Sequence, residues 1–163
     1  AYLKAAHPDH AAVLQALVDA GCRVACYLPE LAGGKAPPVV SPRIRYSAQP
    51  VDLQTACARS ALVVCHAGIA TLAQALLAGK PLLLLPMQAE QFLVSRRVAH
   101  IGAGINLAEH RRPVDMLTLV RRLLAPGPAR TAAAAFAEKY RRFNRAQQLT
   151  GLVDRFEALL DRR

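Results

Sequence analysis

The stretch from His66 to Thr71 is the part of the sequence best suited to bind an anion. It lies between the apolar run 61–65, which predicts a buried strand, and a Leu/Ala-rich run from Thr71 to Ala78, which predicts a helix. The first N–H groups of a helix have no partner inside it and lie at the positive end of the helix dipole. Gly68 lets a ligand approach the backbone, and His66 and Thr71 add side-chain hydrogen-bond donors. The loop therefore predicts a diphosphate site, the alternative being a histidine that only ends the strand.

A second loop, 86–91, follows the leucine run 82–85 and carries Glu90 and Gln91. An ionised Glu90 only accepts hydrogen bonds, whereas Gln91 both donates and accepts them, and this combination suits the neighbouring hydroxyls of a sugar. The alternative is an ordinary acidic helix start that the dipole stabilises. Gln74, one turn into the helix after Thr71, is either near a ribose hydroxyl or a surface residue.

Strand-like and helix-like segments alternate along the chain, which predicts an α/β domain with a parallel sheet and helices on both faces. The predicted strands are 2–3, 23–28, 43–47, 61–65, 82–85 and 104–107. The predicted helices are 9–20, 52–59 with Asp52 as its cap, 71–78, 88–100, 113–124, 131–144 and 147–160, and the Gly/Pro-rich segment 29–42 is predicted to be irregular. Six strands predict a Rossmann-like, doubly wound sheet whose ligands lie at the carboxyl ends of the strands. Residues 1–163 are expected to form one domain with the last helices appended.

The two loops together resemble the C-terminal, donor-binding domain of GT-B glycosyltransferases of the UDP-glycosyltransferase, or family 28-like, type. That family shows the pattern H-G-G-x-G-T-x-x-E-a-L-x-x-G-x-P-x-x-x-x-P-x-x-x-D-Q, followed by a helix and G-x-G. Here residues 66–81 are H-A-G-I-A-T-L-A-Q-A-L-L-A-G-K-P, residues 86–91 are P-M-Q-A-E-Q, and residues 102–104 are G-A-G. The spacing matches without a gap from 66 to 91.

The resemblance implies a role for each matching position. The donor diphosphate would be held by His66, Gly68, Ile69, Ala70 and Thr71. Gln74 would face the ribose, and Glu90 with Gln91 would bind the sugar. The base would lie against the loop formed by Ser47, Ala48, Gln49, Pro50 and Val51, which lacks the family's aromatic–Pro–Gln form.

The resemblance also implies a reaction, namely inverting transfer of a sugar from a nucleotide-diphosphate sugar, UDP-linked, to an acceptor hydroxyl, without metal or cofactor. No catalytic residue is expected in this chain, because the base and the acceptor pocket of such enzymes belong to an N-terminal domain for which 163 residues leave no room. The expected partners are the nucleotide sugar and that acceptor-binding domain or subunit. Because the chain opens with Ala1, it is expected to be part of something longer and inactive alone.

Several positions depart from the family pattern. Ala67 and Ala70 replace glycines, which crowds the phosphate turn if either needs a positive φ. Gln74 replaces a carboxylate and loses charge-assisted hydrogen bonds. Glu90 replaces an aspartate, and the segment 4–6, Lys-Ala-Ala, stands where the family often has Gly-Ser.

Three other functions stay open on the sequence. The first is the natural donor-binding subunit of a two-subunit transferase, as in the two-subunit N-acetylglucosaminyltransferases that this layout resembles. The second is a nucleotide-sugar 2-epimerase, which shares the fold but is an isomerase. The third is a non-catalytic module that uses the basic helices to bind a membrane or nucleic acid.

The net charge of +10 is concentrated in the last third of the chain. Residues 1–110 hold nine Lys and Arg against six Asp and Glu, and residues 111–163 hold twelve against five. Arginine pairs occur at 111–112, 121–122, 141–142 and 162–163. An acidic partner, or peripheral contact between the C-terminal helices and an anionic membrane, fits this charge, whereas nucleic acid is disfavoured by the absence of Trp and the few Phe and Tyr.

The four cysteines Cys22, Cys26, Cys57 and Cys65 lie within or beside apolar runs and lack the CxxC spacing of a zinc site. They are expected to be buried free thiols, which predicts a cytoplasmic location.

Overall fold

The computed structural model describes residues 1–47 and 49–160, with the backbone alone at Arg145. Ala48 of the predicted base loop and the pair Arg162-Arg163 lie outside the described residues. The predicted α/β class is confirmed, because parallel strands alternate with helices along the chain.

Five strands form the sheet, and they are β1 Val24–Tyr27, β2 Ile44–Ser47, β3 Val63–Cys65, β4 Leu82–Leu84 and β5 Gly104–Asn106. All described pairings are parallel; β1 pairs with β2, and β3, β4 and β5 follow one another. β3 and β4 are buried at every residue, as expected for strands covered on both faces.

Tyr2 joins these two groups of strands. It forms single parallel bridges with Tyr27 of β1 and with Cys65 of β3, supported by hydrogen bonds from Tyr2 N–H to the Val64 carbonyl (2.8 Å) and from Leu3 N–H to the Tyr27 carbonyl (3.1 Å). The prediction of a sixth full strand at 2–3 is wrong, because the chain turns away at once. The segment nevertheless occupies the position between β1 and β3, which gives the spatial order of a doubly wound sheet.

The described part of the chain contains seven α-helices, and they are α1 His10–Asp19, α2 Leu53–Ala58, α3 Ile69–Leu77, α4 Ala89–His100, α5 Met116–Leu124, α6 Pro128–Lys139 and α7 Arg145–Leu160. The core has two parts. One buries α1 and α5 against the sheet, and the other buries α3, α6 and part of α4 on the opposite face. No helix among the described residues is long and apolar enough to cross a membrane.

Helix and loop boundaries differ from the predictions by one or two residues at several ends, such as the start of α3 at Ile69 instead of 71, and by more in three places. The predicted irregular segment 29–42 contains a 3₁₀ helix, Pro29–Gly33, which Pro29 can begin because it needs no N–H partner there. α5 begins at Met116 and not at residue 113, because the carboxylate of Asp115 caps it through the Thr118 N–H. α6 occupies 128–139 instead of 131–144, since a proline is favoured at the first position of a helix.

The cysteines are free, as predicted, with three buried and Cys22 partly exposed. Arginines 111, 112, 121, 122, 141 and 142 are exposed.

Candidate functional site

Parallel strands bring several loops to one edge of the sheet. The segment after Tyr2 and the loops after β1, β3, β4 and β5 all leave from the carboxyl ends, where doubly wound sheets bind ligands. His66 follows β3 directly, and Glu90 lies in the first turn of α4 after β4.

A tight turn connects β3 to α3. Ala67, one of the two alanines that replace glycines of the family pattern, has a φ of 62°. This value lies in the left-handed region that favours glycine. Gly68 then begins the helix in an extended conformation, and its carbonyl accepts the Leu72 N–H at 3.0 Å. No side chain caps α3, so its first N–H groups stay open toward the edge.

The imidazole of His66 lies against the start of α3. A Cβ atom on Gly68 would be 3.2 Å from His66 Nε2, which is closer than nearly all contacts of real Cβ atoms. The other side of the ring faces Tyr2, with the two ring centroids 5.3 Å apart. A side chain at position 68 would therefore press on the ring and shift it by a few tenths of an ångström.

Burial lowers the pKa of His66 below its ordinary value, and the positive charge of Lys4 acts in the same direction. The Tyr2 backbone and the negative charge of Glu30 oppose this change more weakly. The buried Nδ1 atom of His66 makes no hydrogen bond of ordinary geometry. The ring is thus neutral at pH 7, because burial outweighs the groups that favour a positive charge.

The other residues predicted for the diphosphate differ in exposure. Ile69 is 61% exposed and Ala70 is exposed, whereas Thr71 is 6% exposed and faces the core. Gln74 is half-buried one turn farther along α3. The exposed start of the helix, more than the Thr71 side chain, is what the edge offers to a ligand.

The start of α4 holds the two residues predicted to bind sugar. The side-chain oxygen of Gln91 accepts the Met87 N–H at 2.9 Å, which orients the amide and leaves its two N–H donors free. Glu90 is exposed and makes no ion pair within residues 1–47 and 49–160.

In the predicted base loop, two described residues hydrogen-bond to each other and form a turn. Ser47 Oγ donates to the Gln49 carbonyl at 2.6 Å, and the Gln49 N–H donates back to Ser47 Oγ at 3.3 Å. Asp52 caps α2 as predicted, by accepting the N–H groups of Gln54 and Thr55.

A cleft of about 450 Å³ opens among the loops that follow Tyr2, β4 and β5. Its lining residues are 6–8, Pro86, Met87, Leu107, Ala108, His110 and Arg112. None of the predicted site residues that the structure describes lines this cleft, although the Met87 N–H donates to the side chain of Gln91.

An ion pair that the sequence analysis missed forms one wall of the cleft. Both terminal nitrogens of Arg112 donate to the carboxylate of Asp9, whose side chain is only 10% exposed. Arg112 thereby holds the pKa of Asp9 below its ordinary value. The Asp9 N–H donates to His7 Nδ1 at 3.1 Å, so a neutral His7 carries its proton on Nε2. The partners are 103 residues apart in sequence, and no local pattern could have indicated them.

The sequence analysis also missed Glu30. One of its carboxylate oxygens, Oε2, is buried without a hydrogen-bond partner. Across residues 1–47 and 49–160, no group of three or more His, Cys, Asp or Glu side chains is arranged to hold a metal ion.

The chain is similar in sequence to a described protein family and to a curated protein. A model of the family described as erythromycin biosynthesis protein CIII-like, C-terminal domain, matches residues 9–148. A PGL/p-HBAD biosynthesis glycosyltransferase of Mycobacterium tuberculosis strain H37Rv is 35% identical over 88 residues, which cover 53% of this chain and 21% of the relative.

The fold is shared with solved glycosyltransferases. The spinosyn rhamnosyltransferase SpnG matches with a TM-score of 0.72 and 22% identity over 94% of this chain and 43% of its own. The glycosyltransferase VinC, solved in complex with DTDP, matches with a TM-score of 0.66 and 20% identity over 94% of this chain and 40% of its own. SpnG has also been solved with thymidine diphosphate. The chain thus spans a fifth of the curated relative and less than half of each structure.

Proposed function

Because the chain belongs to the family of erythromycin biosynthesis protein CIII-like C-terminal domains, which are C-terminal domains of GT-B glycosyltransferases, we propose that it binds the diphosphate of a nucleotide-sugar donor. The observation that carries this proposal is the uncapped start of α3 beside the neutral His66 ring. Oriented N–H groups at a helix start, at the positive end of the dipole, form a ready anion site.

Two further groups support an anion at this edge. The side chain of Lys4 makes no ion pair within the described part of the chain, and its positive charge acts on His66. The neutral ring of His66 can take up a proton once an anion offsets the cost of burying the charge. Lys4 therefore compensates for the Gly-Ser loop that this chain lacks.

Transfer would follow from this placement. The bond between the anomeric carbon and the diphosphate oxygen breaks, the acceptor oxygen forms a new bond on the opposite face, and the acceptor proton passes to a base outside this chain. The α3 amides, His66 and Lys4 would stabilise the negative charge that develops on the leaving diphosphate. We propose that this stabilisation makes transfer independent of metal, so that activity of a complete enzyme should survive EDTA.

We propose a UDP-linked sugar as the donor, with Glu90 and the free N–H donors of Gln91 on the sugar hydroxyls. The neighbours solved with thymidine diphosphate make a TDP-linked sugar the alternative. Both donors present the same diphosphate to α3.

The test is calorimetric titration of the chain with UDP, TDP and GDP and with their sugar conjugates. We expect binding that His66→Ala weakens about tenfold, the value of one hydrogen bond to a charged group. His100→Ala, at an exposed histidine in the last turn of α4, is the matched control and should not change affinity. Absence of binding by every nucleotide at millimolar concentration would contradict the proposal.

A further inference from the structure

Glu30 lies at the same edge of the sheet as the diphosphate loop. It is the second residue of the 3₁₀ helix that follows β1, the strand next to Tyr2. Because β1 and β3 both run parallel to the Tyr2 segment, their carboxyl ends, and hence Glu30 and His66, leave the sheet on one side. The rings of Tyr27, Tyr2 and His66 form a continuous row between the two strands, with centroid separations of 4.9 and 5.3 Å.

The carboxylate of Glu30 lacks a partner in the described chain. Its Oε2 atom is buried and accepts no hydrogen bond, and Glu30 makes no ion pair within residues 1–47 and 49–160. A buried polar atom without a partner is unfavourable for stability and is rare in native proteins. Such an atom at a binding edge is explained if a ligand completes its hydrogen bonds.

The chemistry of a carboxylate restricts what that ligand group can be. A carboxylate accepts hydrogen bonds and repels phosphate, so in a nucleoside diphosphate its partner must be a hydroxyl or N–H group. The charge of Glu30 reaches the His66 ring, which places the carboxylate within electrostatic range of the diphosphate loop. In a nucleoside diphosphate the hydroxyl groups closest to the phosphates are those of the ribose. In doubly wound sheets of the dinucleotide-binding type, an acidic residue near the second strand takes the ribose hydroxyl.

We propose that Glu30 accepts hydrogen bonds from the ribose hydroxyls of the donor nucleotide, in place of the carboxylate that is missing at position 74. This inference rests on the proposed function, because it needs a nucleoside diphosphate at α3. It makes Glu30 the residue that distinguishes ribose from deoxyribose donors.

Calorimetric titration with UDP, 2′-deoxy-UDP and 2′,3′-dideoxy-UDP tests the proposal. For the unchanged chain we expect affinity to fall about tenfold or more from UDP to the dideoxy compound, as each hydroxyl bonded to the carboxylate is removed. Glu30→Ala should weaken the binding of UDP by a similar factor and leave the affinity for the dideoxy compound unchanged. Glu157→Ala, at an exposed carboxylate on α7, is the matched control and should preserve all three affinities.

Thermal unfolding supplies a readout that does not depend on the nucleotide. Because Oε2 has no partner, Glu30→Gln and Glu30→Ala should melt at or above the temperature of the unchanged chain. A clear decrease for the isosteric Glu30→Gln would show a structural role and overturn the proposal. An unchanged ratio of UDP to dideoxy-UDP affinity in Glu30→Ala would also overturn it, whereas failure of the unchanged chain to bind UDP would reject the proposed function as well.

Discussion

His66 is neutral and half-buried before any anion is present, and this state decides how the site responds to pH. Burial lowers its pKa below 6.5, the ordinary value, so the ring is uncharged at pH 7. An adjacent diphosphate favours the imidazolium form and raises the pKa of the ring. Binding and protonation are therefore coupled.

We predict that affinity for UDP-glucose increases as the pH is lowered from 7 to 5.5, by about threefold to tenfold. The sign follows from the bound state holding more protons than the free state. The diphosphate of UDP-glucose does not itself titrate in this range, so calorimetry isolates the protein. His66→Ala should show a flat profile, and a flat profile for the unchanged chain would contradict the prediction.

Ala67 combines a positive φ with burial, so its size is restricted in two ways. We expect Ala67→Gly to change the free energy of unfolding by no more than about 1 kcal/mol, because relief of backbone strain offsets the lost methyl burial. Ala67→Val should cost about 2 kcal/mol or more, because a β-branched residue is strongly disfavoured at this φ. Urea unfolding measures both, and equal costs for the two variants would show that the turn rearranges.

Residue types alone indicated the His66 loop because its chemistry is local to six consecutive positions. Glu30 gave no such signal, because its location at the same edge as the His66 loop depends on how β1 and β3 are arranged in the sheet. The pairing of Asp9 with Arg112 was hidden for the same reason, since it joins opposite ends of the sequence.

At the scale of the elements, the site depends on how tightly the helices pack against the short strands. β5 lies against both β4 and α4, and Gly104 is the residue that allows this approach. A Cβ atom there would lie 2.6 Å from the Leu82 carbonyl oxygen and 3.1 Å from Val98 Cγ1. The G-x-G pattern at 102–104 therefore has a packing reason in addition to any contact with a ligand.

We predict that Gly104→Ala destabilises the fold by about 2 kcal/mol or more, because backbone atoms of β4 must move. Gly151→Ala is the contrasting variant, since nothing lies within 4 Å of its Cβ position and it is inside α7. It should raise the helicity of α7 without lowering the melting temperature. A tolerated Gly104→Ala would show that β4 and β5 can separate.

The pair between Asp9 and Arg112 fastens the loop before α1 to the loop before α5. Arg112→Ala leaves a mostly buried carboxylate unpaired, and we expect a lower free energy of unfolding at pH 7. The pKa of Asp9 is lowered in the folded chain, so this contribution is present above 3.8, the ordinary pKa, and is lost as the pH falls below it. Chemical unfolding at pH 7 and pH 3.5 checks this, with Arg122→Ala as the exposed control. A difference between the two chains that does not depend on pH would contradict it.

The positions of the buried strands were predictable to within about two residues at each end, because apolar runs such as 82–85 leave little choice. The start of α5 was predicted at 113 and lies at Met116, because the Asp115 carboxylate accepts the Thr118 N–H and caps the helix there. The prediction of a full strand at 2–3 was wrong, because strand propensity does not indicate how soon the chain turns away from the sheet.

At the scale of the whole molecule, α7 differs from the other helices. Every described side chain on it is exposed, and Leu149, Leu152, Val153, Phe156 and Leu159 are spaced three or four residues apart along one face. The sequence of α7 contains two arginines, one aspartate and one glutamate, so its formal net charge is zero. The excess of positive charge in the last third therefore lies on other elements than this helix.

We predict that a chain ending at Asn144 melts within about 2 °C of the full chain, because α7 buries no side chain on the body. Removing the exposed apolar face should also reduce light scattering at high protein concentration. Differential scanning fluorimetry and light scattering check the two expectations. A decrease of several degrees would mean that α7 packs on the domain in solution.

The central place in the sheet is filled by the earliest residues of the chain, whose partners Tyr27 and Cys65 come much later. During synthesis or refolding, β1 and β3 must both be available before Tyr2 can join them, which is a contact of high sequence separation and slow to form. The β1–β2 pair and the β3–β4–β5 group can form first. The carboxyl edge that carries Glu30 and His66 is complete only after Tyr2 joins the two groups. Competence to hold a nucleotide should thus be among the last properties acquired as the polypeptide matures.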